Sequence, residues 1–211
     1  MSYRVCLPTA GTGSRLGPLT RFLNKSLVGL ASRPILSHLI EQFPQDVEFV
    51  IALGHQGHLV REFLTLAYPQ RRFLFEEVTP YEGPGSGLGL SLLACERHLH
   101  EPFVFISCDT LIRGAPIPSP QTNWMACAEV EDLAHYRTLA LKDGKVQAIS
   151  EKGEGRPGGH QAYIGLAGIH DHQIFWAAMR EGGDRAIQTG EAHGLRALLP
   201  QGIAAQSWTW Y

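Results

Sequence analysis

The chain has 211 residues, with 18 Lys plus Arg against 20 Asp plus Glu for a net charge of −2, and it is 44% hydrophobic. That length suits one domain, able to bury roughly 70% of its unfolded surface without disulfides or metals as staples. The low, balanced charge excludes a disordered chain and argues against nucleic-acid binding driven by clustered cations.

Residues 3–8 read as a buried strand, without the basic region and long apolar stretch of a signal peptide before it. No apolar run approaches the roughly 18 residues of a membrane helix, so no membrane partner is expected. Cys6, Cys95, Cys108 and Cys127 form no CxxC pair and read as reduced core residues of a cytoplasmic protein.

The first strand opens onto a Gly-rich turn over 9–15. Pro34, Ile35, Leu36, Leu39, Ile40 and Phe43 have helical spacing, with Pro34 suited to a first turn. Residues 49–53 form a second buried strand, and 56–67 a helix with Leu59, Val60, Phe63, Leu64 and Ala67 on one face. A third strand covers 73–75. After the Gly-rich stretch 83–89 comes a helix over 88–98, then a fourth strand, 103–106, running into Ser107-Cys108-Asp109. This order, with wholly apolar strands, predicts a parallel sheet covered on both faces.

Residues 124–130 read as a further strand, and 138–141 with 146–151 as a hairpin across Lys142-Asp143-Gly144-Lys145. One more strand spans 163–169, helices come near 173–179 and 191–199, and 153–159 reads as a mobile loop. The predicted fold class is α/β: a three-layer, Rossmann-like, mostly parallel sheet with helices on both faces and a β-hairpin insertion in the second half. All of it falls in a single domain over 1–211.

The turn Thr9-Ala10-Gly11-Thr12-Gly13-Ser14-Arg15-Leu16 lets backbone approach a ligand and can form an anion-binding nest. A dinucleotide fingerprint fails at Leu16, a Walker loop fails because Lys25-Ser26 follows Asn24, and no esterase elbow surrounds Ser86. Arg15 and Lys25 nevertheless place two cations near the carboxyl end of the first strand, where open parallel sheets bind ligands, and so favour a polyphosphate site. Asp109 emerges at the same edge and reads as a ligand for a hard cation such as Mg²⁺, or else as a cap for the next turn of chain. Lys152 is either a second phosphate contact or an exposed hairpin charge. In His170-Asp171-His172, Asp171 reads as a helix N-cap ahead of a metal site.

Taken together, these residues resemble the sugar-1-phosphate nucleotidyltransferase (pyrophosphorylase) superfamily, which includes capsule and phosphocholine-type cytidylyltransferases. The resemblance runs through Gly11-Thr12-Gly13-Ser14-Arg15-Leu16-Gly17-Pro18-Leu19-Thr20, Asn24-Lys25-Ser26-Leu27 and Arg33-Pro34-Ile35-Leu36. It continues in Gly85-Ser86-Gly87-Leu88-Gly89, Cys108-Asp109, Glu151-Lys152 and Tyr163-Ile164-Gly165-Leu166-Ala167-Gly168. The resemblance implies that Ala10, Gly11, Thr12, Gly13 and Ser14 wrap a nucleoside triphosphate, with Arg15 on the β/γ-phosphates and Lys25 on the α-phosphate. It implies that Ser86 and Gly87 hold the base and Asp109 holds Mg²⁺. Glu151, Lys152 and Gly165 would bind a phosphorylated small-molecule acceptor.

The family's second metal carboxylate lies in a Trp-x-Asp-x-Gly-like segment. Here Ser207-Trp208-Thr209-Trp210-Tyr211 resembles the approach to it without an Asp, so the domain is expected to be truncated at its C-terminus. The expected activity is Mg-dependent transfer of NMP from an NTP to a sugar-1-phosphate or similar acceptor, within polysaccharide or capsule biosynthesis. The alternative is a non-catalytic nucleotide- or sugar-phosphate-binding domain. The sequence leaves open the NTP, the acceptor and a homo-dimeric assembly.

Overall fold

The computed structural model describes residues 3–114, 116–155 and 159–208. In chain order the elements are β1 (Arg4–Pro8), β2 (Gly29–Leu30), β3 (Arg33–Pro34), α1 (Ile35–Ile40), β4 (Glu48–Leu53), α2 (Gly57–Ala67), β5 (Phe73–Glu77), α3 (Leu88–Cys95) and β6 (Phe103–Ile106). They continue with β7 (Trp124–Ala128), β8 (Thr138–Lys142), β9 (Lys145–Ser150), β10 (His160–Ile169), α4 (His172–Glu181), α5 (Gly183–Thr189), α6 (Glu191–Ala197) and β11 (Ala204–Ser207).

Side chains alternate across a strand, so a strand buried on both faces must be apolar at every position. Val5 and Leu7 of β1, Phe49, Ile51 and Leu53 of β4, and Val104 and Ile106 of β6 join one core with Leu36 and Leu39 of α1 and Val60 and Leu64 of α2. The intervening Cys6, Val50, Ala52, Phe103 and Phe105 enter the opposite core with Leu92 of α3, Phe175 and Trp176 of α4 and Leu195 of α6. The three layers arise from that pattern. All four cysteines are free and buried.

The large sheet has the order β5-β4-β1-β6-β10-β7-β11-β9-β8. Its first four strands are parallel, as their apolar runs predict. β10 then pairs antiparallel with both β6 and β7, and β11 runs parallel to β7, so the second half is mixed. The expected hairpin is β8–β9, closed by Asp143 and Gly144, both at positive φ as a two-residue hairpin turn requires. It lies at the edge of the same sheet.

Several local expectations shift. Pro34 lies in the short β3 strand and caps α1 rather than entering its first turn. Asp171 occupies the N-cap position of α4, but its carboxylate accepts a 2.6 Å hydrogen bond from Asn123 instead of capping helix N–H groups. Helix α5 has no counterpart in the sequence reading, because only Ala186 among its residues is buried and no apolar stripe marks it. Of the loop expected over 153–159, residues 156–158 lie outside the described residues, as do 209–211 of the C-terminal motif. Among the described residues, no helix is long and apolar enough to cross a membrane.

Candidate active site

The carboxyl ends of β1 and β6 open onto a cavity of about 680 Å³. Its wall includes Ala10, Gly11, Thr12, Arg15, Lys25, Ser86, Gly87, Asp109, Lys152 and Gly165. Ten of the thirteen residues singled out from sequence therefore share one cleft. Gly13, Ser14 and Glu151 do not line it. Gly13 takes the left-handed conformation, φ 66°, that turns the chain into the 3-10 segment Ser14–Thr20, and Ser14 is exposed.

The loop is held from beneath by Asn24, which is fully buried. Its Nδ2 donates to the Thr9 and His55 carbonyl oxygens at 2.8 and 2.7 Å, while its Oδ1 accepts from the Ser26 backbone N–H at 3.0 Å and the Ser26 hydroxyl at 2.8 Å. One side chain thus ties the end of β1, the turn after β4 and the segment carrying Lys25. The His55 ring adds a 2.7 Å contact to the Thr20 carbonyl, and Thr20 in turn donates to Gly13 O at 3.2 Å. Sequence reading quoted Asn24 within a motif but gave it no role.

Lys25 Nζ lies 3.2 Å from Asp109 Oδ2, and Asp109 Oδ1 accepts from Ser107 Oγ at 2.7 Å. Burial opposes the Lys25 charge, but the Cys108 sulfur and the Asp109 carboxylate outweigh it and hold the ammonium above the ordinary lysine pKa. Burial pushes the Cys108 thiol itself up, against the pull of Lys25, so at neutral pH the counter-charge is Asp109. Burial likewise opposes the Asp109 charge. Lys25 and the Ser107 hydroxyl more than compensate and lower its pKa. Both groups are therefore ionised at pH 7, and the Asp109 side chain remains 52% exposed to the cavity.

Gly165 explains how Asp109 reaches this edge. It sits at an irregularity in β10 between Tyr163 and Ala167, with φ 77°. A Cβ there would lie 2.9 Å from Ser107 Cβ, and its carbonyl accepts the Ser107 N–H at 2.8 Å. The Ser107–Asp109 turn can pack against β10 only because no side chain intervenes. At the other wall, Gly89 lets α3 cross α5, since a Cβ would fall 2.1 Å from the Ala186 carbonyl oxygen. The Ser86 hydroxyl is turned back onto Gly83 O at 2.7 Å.

Glu151 serves a different purpose from the one expected. Its two oxygens accept from Arg137 Nε at 2.9 Å and Arg196 Nη2 at 2.7 Å. That clamp fixes Arg137, which lines the cavity together with Tyr163 and Glu191. Sequence reading quoted Tyr163 within a motif without a role and missed Arg137 and Glu191, because the three come from different elements and no single motif or period links them.

Glu191 is 3% exposed, and burial pushes its carboxyl pKa up despite the attraction of Arg137. An acid whose folded pKa is raised costs stability as pH climbs from its unfolded value of about 4.5 through the raised one. Glu191→Gln is accordingly expected to gain on wild type as pH rises from 5 to 8, measured by urea unfolding. A gap that is constant with pH would contradict this.

The wall carries four Lys and Arg side chains (Arg15, Lys25, Arg137 and Lys152) beside Asp109, Glu82 and Glu191. Such a surface suits a polyanion. Among the described residues, no group of three or more His, Cys, Asp or Glu forms a ready-made metal cage. One open carboxylate beside a glycine-rich loop still fits Mg²⁺, which completes its shell with waters and ligand oxygens.

No family model matches the sequence. The bifunctional protein GlmU of Methanocaldococcus jannaschii is 24% identical over 204 residues, covering 92% of this chain and 47% of that protein. The low-salt glycan biosynthesis nucleotidyltransferase Agl11 of Haloferax volcanii is 28% identical over 173 residues, 76% of this chain and 47% of that protein. The chain spans about a quarter to a half of the length of the curated relatives it matches. Among solved structures, UDP-glucose pyrophosphorylase complexed with UDP-glucose superposes over 100% of this chain and 91% of its own, with a TM-score of 0.77 and 20% identity. The CTP:phosphocholine cytidylyltransferase LicC of Streptococcus pneumoniae covers 98% of this chain and 90% of its own, with a TM-score of 0.76 and 16% identity. In fold the chain is similar to these solved nucleotidyltransferases, and in sequence it is similar to the GlmU and Agl11 proteins.

Proposed function

We propose that the chain transfers a nucleoside monophosphate from an NTP to a sugar-1-phosphate or similar phosphorylated acceptor, releasing pyrophosphate. The observation that carries this reading is the convergence of Arg15, Lys25 and Asp109 with the Gly11–Thr12 backbone in one cleft. An acceptor phosphate oxygen attacks the α-phosphorus. It is already largely ionised near neutral pH, because the second pKa of a phosphate monoester lies near 6. No general base is required.

Arg15 binds the β- and γ-phosphates and Lys25 the α-phosphate, so both offset charge that develops as pyrophosphate departs. Lys152, exposed on the cavity lining, meets the acceptor phosphate. Asp109 would hold Mg²⁺ together with phosphate oxygens, and the ion would supply further charge neutralisation and alignment. The Lys25–Asp109 ion pair keeps both groups charged and positioned before substrate arrives.

The reading is tested by warming the protein with each NTP and Mg²⁺. A nucleotide at 100 times its dissociation constant adds about 2.7 kcal/mol, or roughly 5–10 °C in Tm for a chain of this size. The nucleotide that shifts Tm should also yield pyrophosphate with a sugar-1-phosphate. No shift with any NTP would refute the assignment. A second reading, a non-catalytic binding domain, rests on the same cavity lining, in which Asp109 is the carboxylate open beside the glycine-rich turn. A full Tm shift without pyrophosphate release from any sugar-1-phosphate or phosphocholine would select it.

A further inference from the structure

Helix α2 carries two apolar stripes. Val60 and Leu64 enter the core, while Leu59, Phe63 and Leu66, at i, i+4 and i+7, form a second line along the helix. With Leu23 and Leu27 from the connection after β1, that line walls a groove of about 460 Å³. The rim is open to water. Leu66 is 73% exposed, and Phe22, one residue before Leu23, is 74% exposed. Single exposed apolar side chains are ordinary, but an apolar groove with a bare aromatic beside it marks a contact surface. None of the groove residues lines the cleft, so ligands of the cleft do not account for them.

The charges around the groove indicate what covers it. Glu62 stands on the groove wall, and the Arg21 guanidinium lies over the Phe22 ring, 5.1 Å from its centroid. Both side chains are exposed, and among the described residues neither forms an ion pair. A wholly acidic or wholly basic partner would answer one of these charges and oppose the other. A two-fold copy answers both, because such an interface presents one patch twice and residue i meets j while j meets i. Shape has the same double character, an exposed ring next to a hollow.

We propose that this face joins two copies of the chain about a two-fold axis, with Phe22 of each copy entering the other's groove and Arg21 pairing with the partner's Glu62. Removal of the ring and the groove walls from water drives association, and the two charge pairs fix its register. Leu23 and Leu27 flank Lys25 in sequence, so the second copy also braces the segment that carries it. The inference is independent of the nucleotidyl-transfer reading.

The experiment is analytical ultracentrifugation of the full chain from micromolar to submillimolar concentration. Wild type is expected to move toward twice the 23.2 kDa chain mass as concentration rises. Leu66→Glu alters a side chain already open to water, so it should keep the wild-type circular-dichroism spectrum and stay monomeric throughout. Arg21→Glu and Glu62→Arg should each weaken the dimer roughly 10-fold or more, because each sets like charges against one another. The double variant exchanges the two charges and should recover dimerisation to within about 3-fold of wild type. That recovery is specific to the proposed pairing, since two merely disruptive substitutions would add. A dimer that Leu66→Glu leaves intact, or a double variant no tighter than the singles, would overturn the proposal. So would a wild-type monomer at every concentration, which would give the groove to a different occupant.

Discussion

Lys25→Ala is expected to lower nucleotidyl transfer on the order of 10²–10³-fold, the usual loss when a preorganised charge at the reacting centre is deleted. The effect should fall mainly on kcat, because the charge on the α-phosphate grows as the acceptor oxygen approaches. Stability should change little. Alanine keeps the Cβ, and a partly exposed Lys–Asp pair contributes about 0–1 kcal/mol. Asp109 is half-open and also accepts from the Ser107 hydroxyl, a hydrogen bond that does not depend on Lys25. Pyrophosphate release by Lys25→Ala within a few-fold of wild type would remove Lys25 from the mechanism.

Asn24→Ala should produce the largest loss of stability, about 3–5 kcal/mol in urea unfolding. The substitution strips partners from the Thr9 and His55 carbonyls and from the Ser26 N–H and hydroxyl. Each buried group left unpaired costs about 1–3 kcal/mol, and the four losses overlap because they share one site. Against a total of about 5–15 kcal/mol for a typical protein, that is a large fraction. The variant should also transfer poorly at temperatures where it stays folded, since the Lys25 segment loses its anchor to β1. A loss below about 1 kcal/mol would show that the clamp contributes nothing and that backbone packing alone holds the loop.

The first half of the chain was the more legible. Each of β1, β4 and β6 is a short run of apolar residues on both faces, which only a covered parallel sheet accommodates, and each ends near a Gly or a polar turn. The glycine-rich turn and Asp109 come directly after β1 and β6, and Lys25 follows later in the connection after β1. Knowing that parallel strands point the same way therefore sufficed to bring Gly11, Lys25 and Asp109 to one edge. The second half resisted because β10 reverses direction and its neighbours arrive out of chain order. Alternation in a strand shows which face is buried, but says nothing about which strand lies beside it.

Glu151 shows the limit most clearly. Adjacent to Lys152 and matched to a family motif, it was expected at the acceptor, yet two arginines from β8's flank and α6 hold both its oxygens. A carboxyl that lines the cavity beside Arg137, Glu191, lies forty residues further on and marks only the start of a helix in the sequence. Local sequence by itself settled the layered α/β body and the sheet edge where the glycine-rich turn and Asp109 meet, because strand burial and strand polarity are properties of single segments. The far wall of the cleft was decided by tertiary structure alone. Which charges pair and which polar atoms stay unpaired depends on segments that meet only after the sheet is assembled.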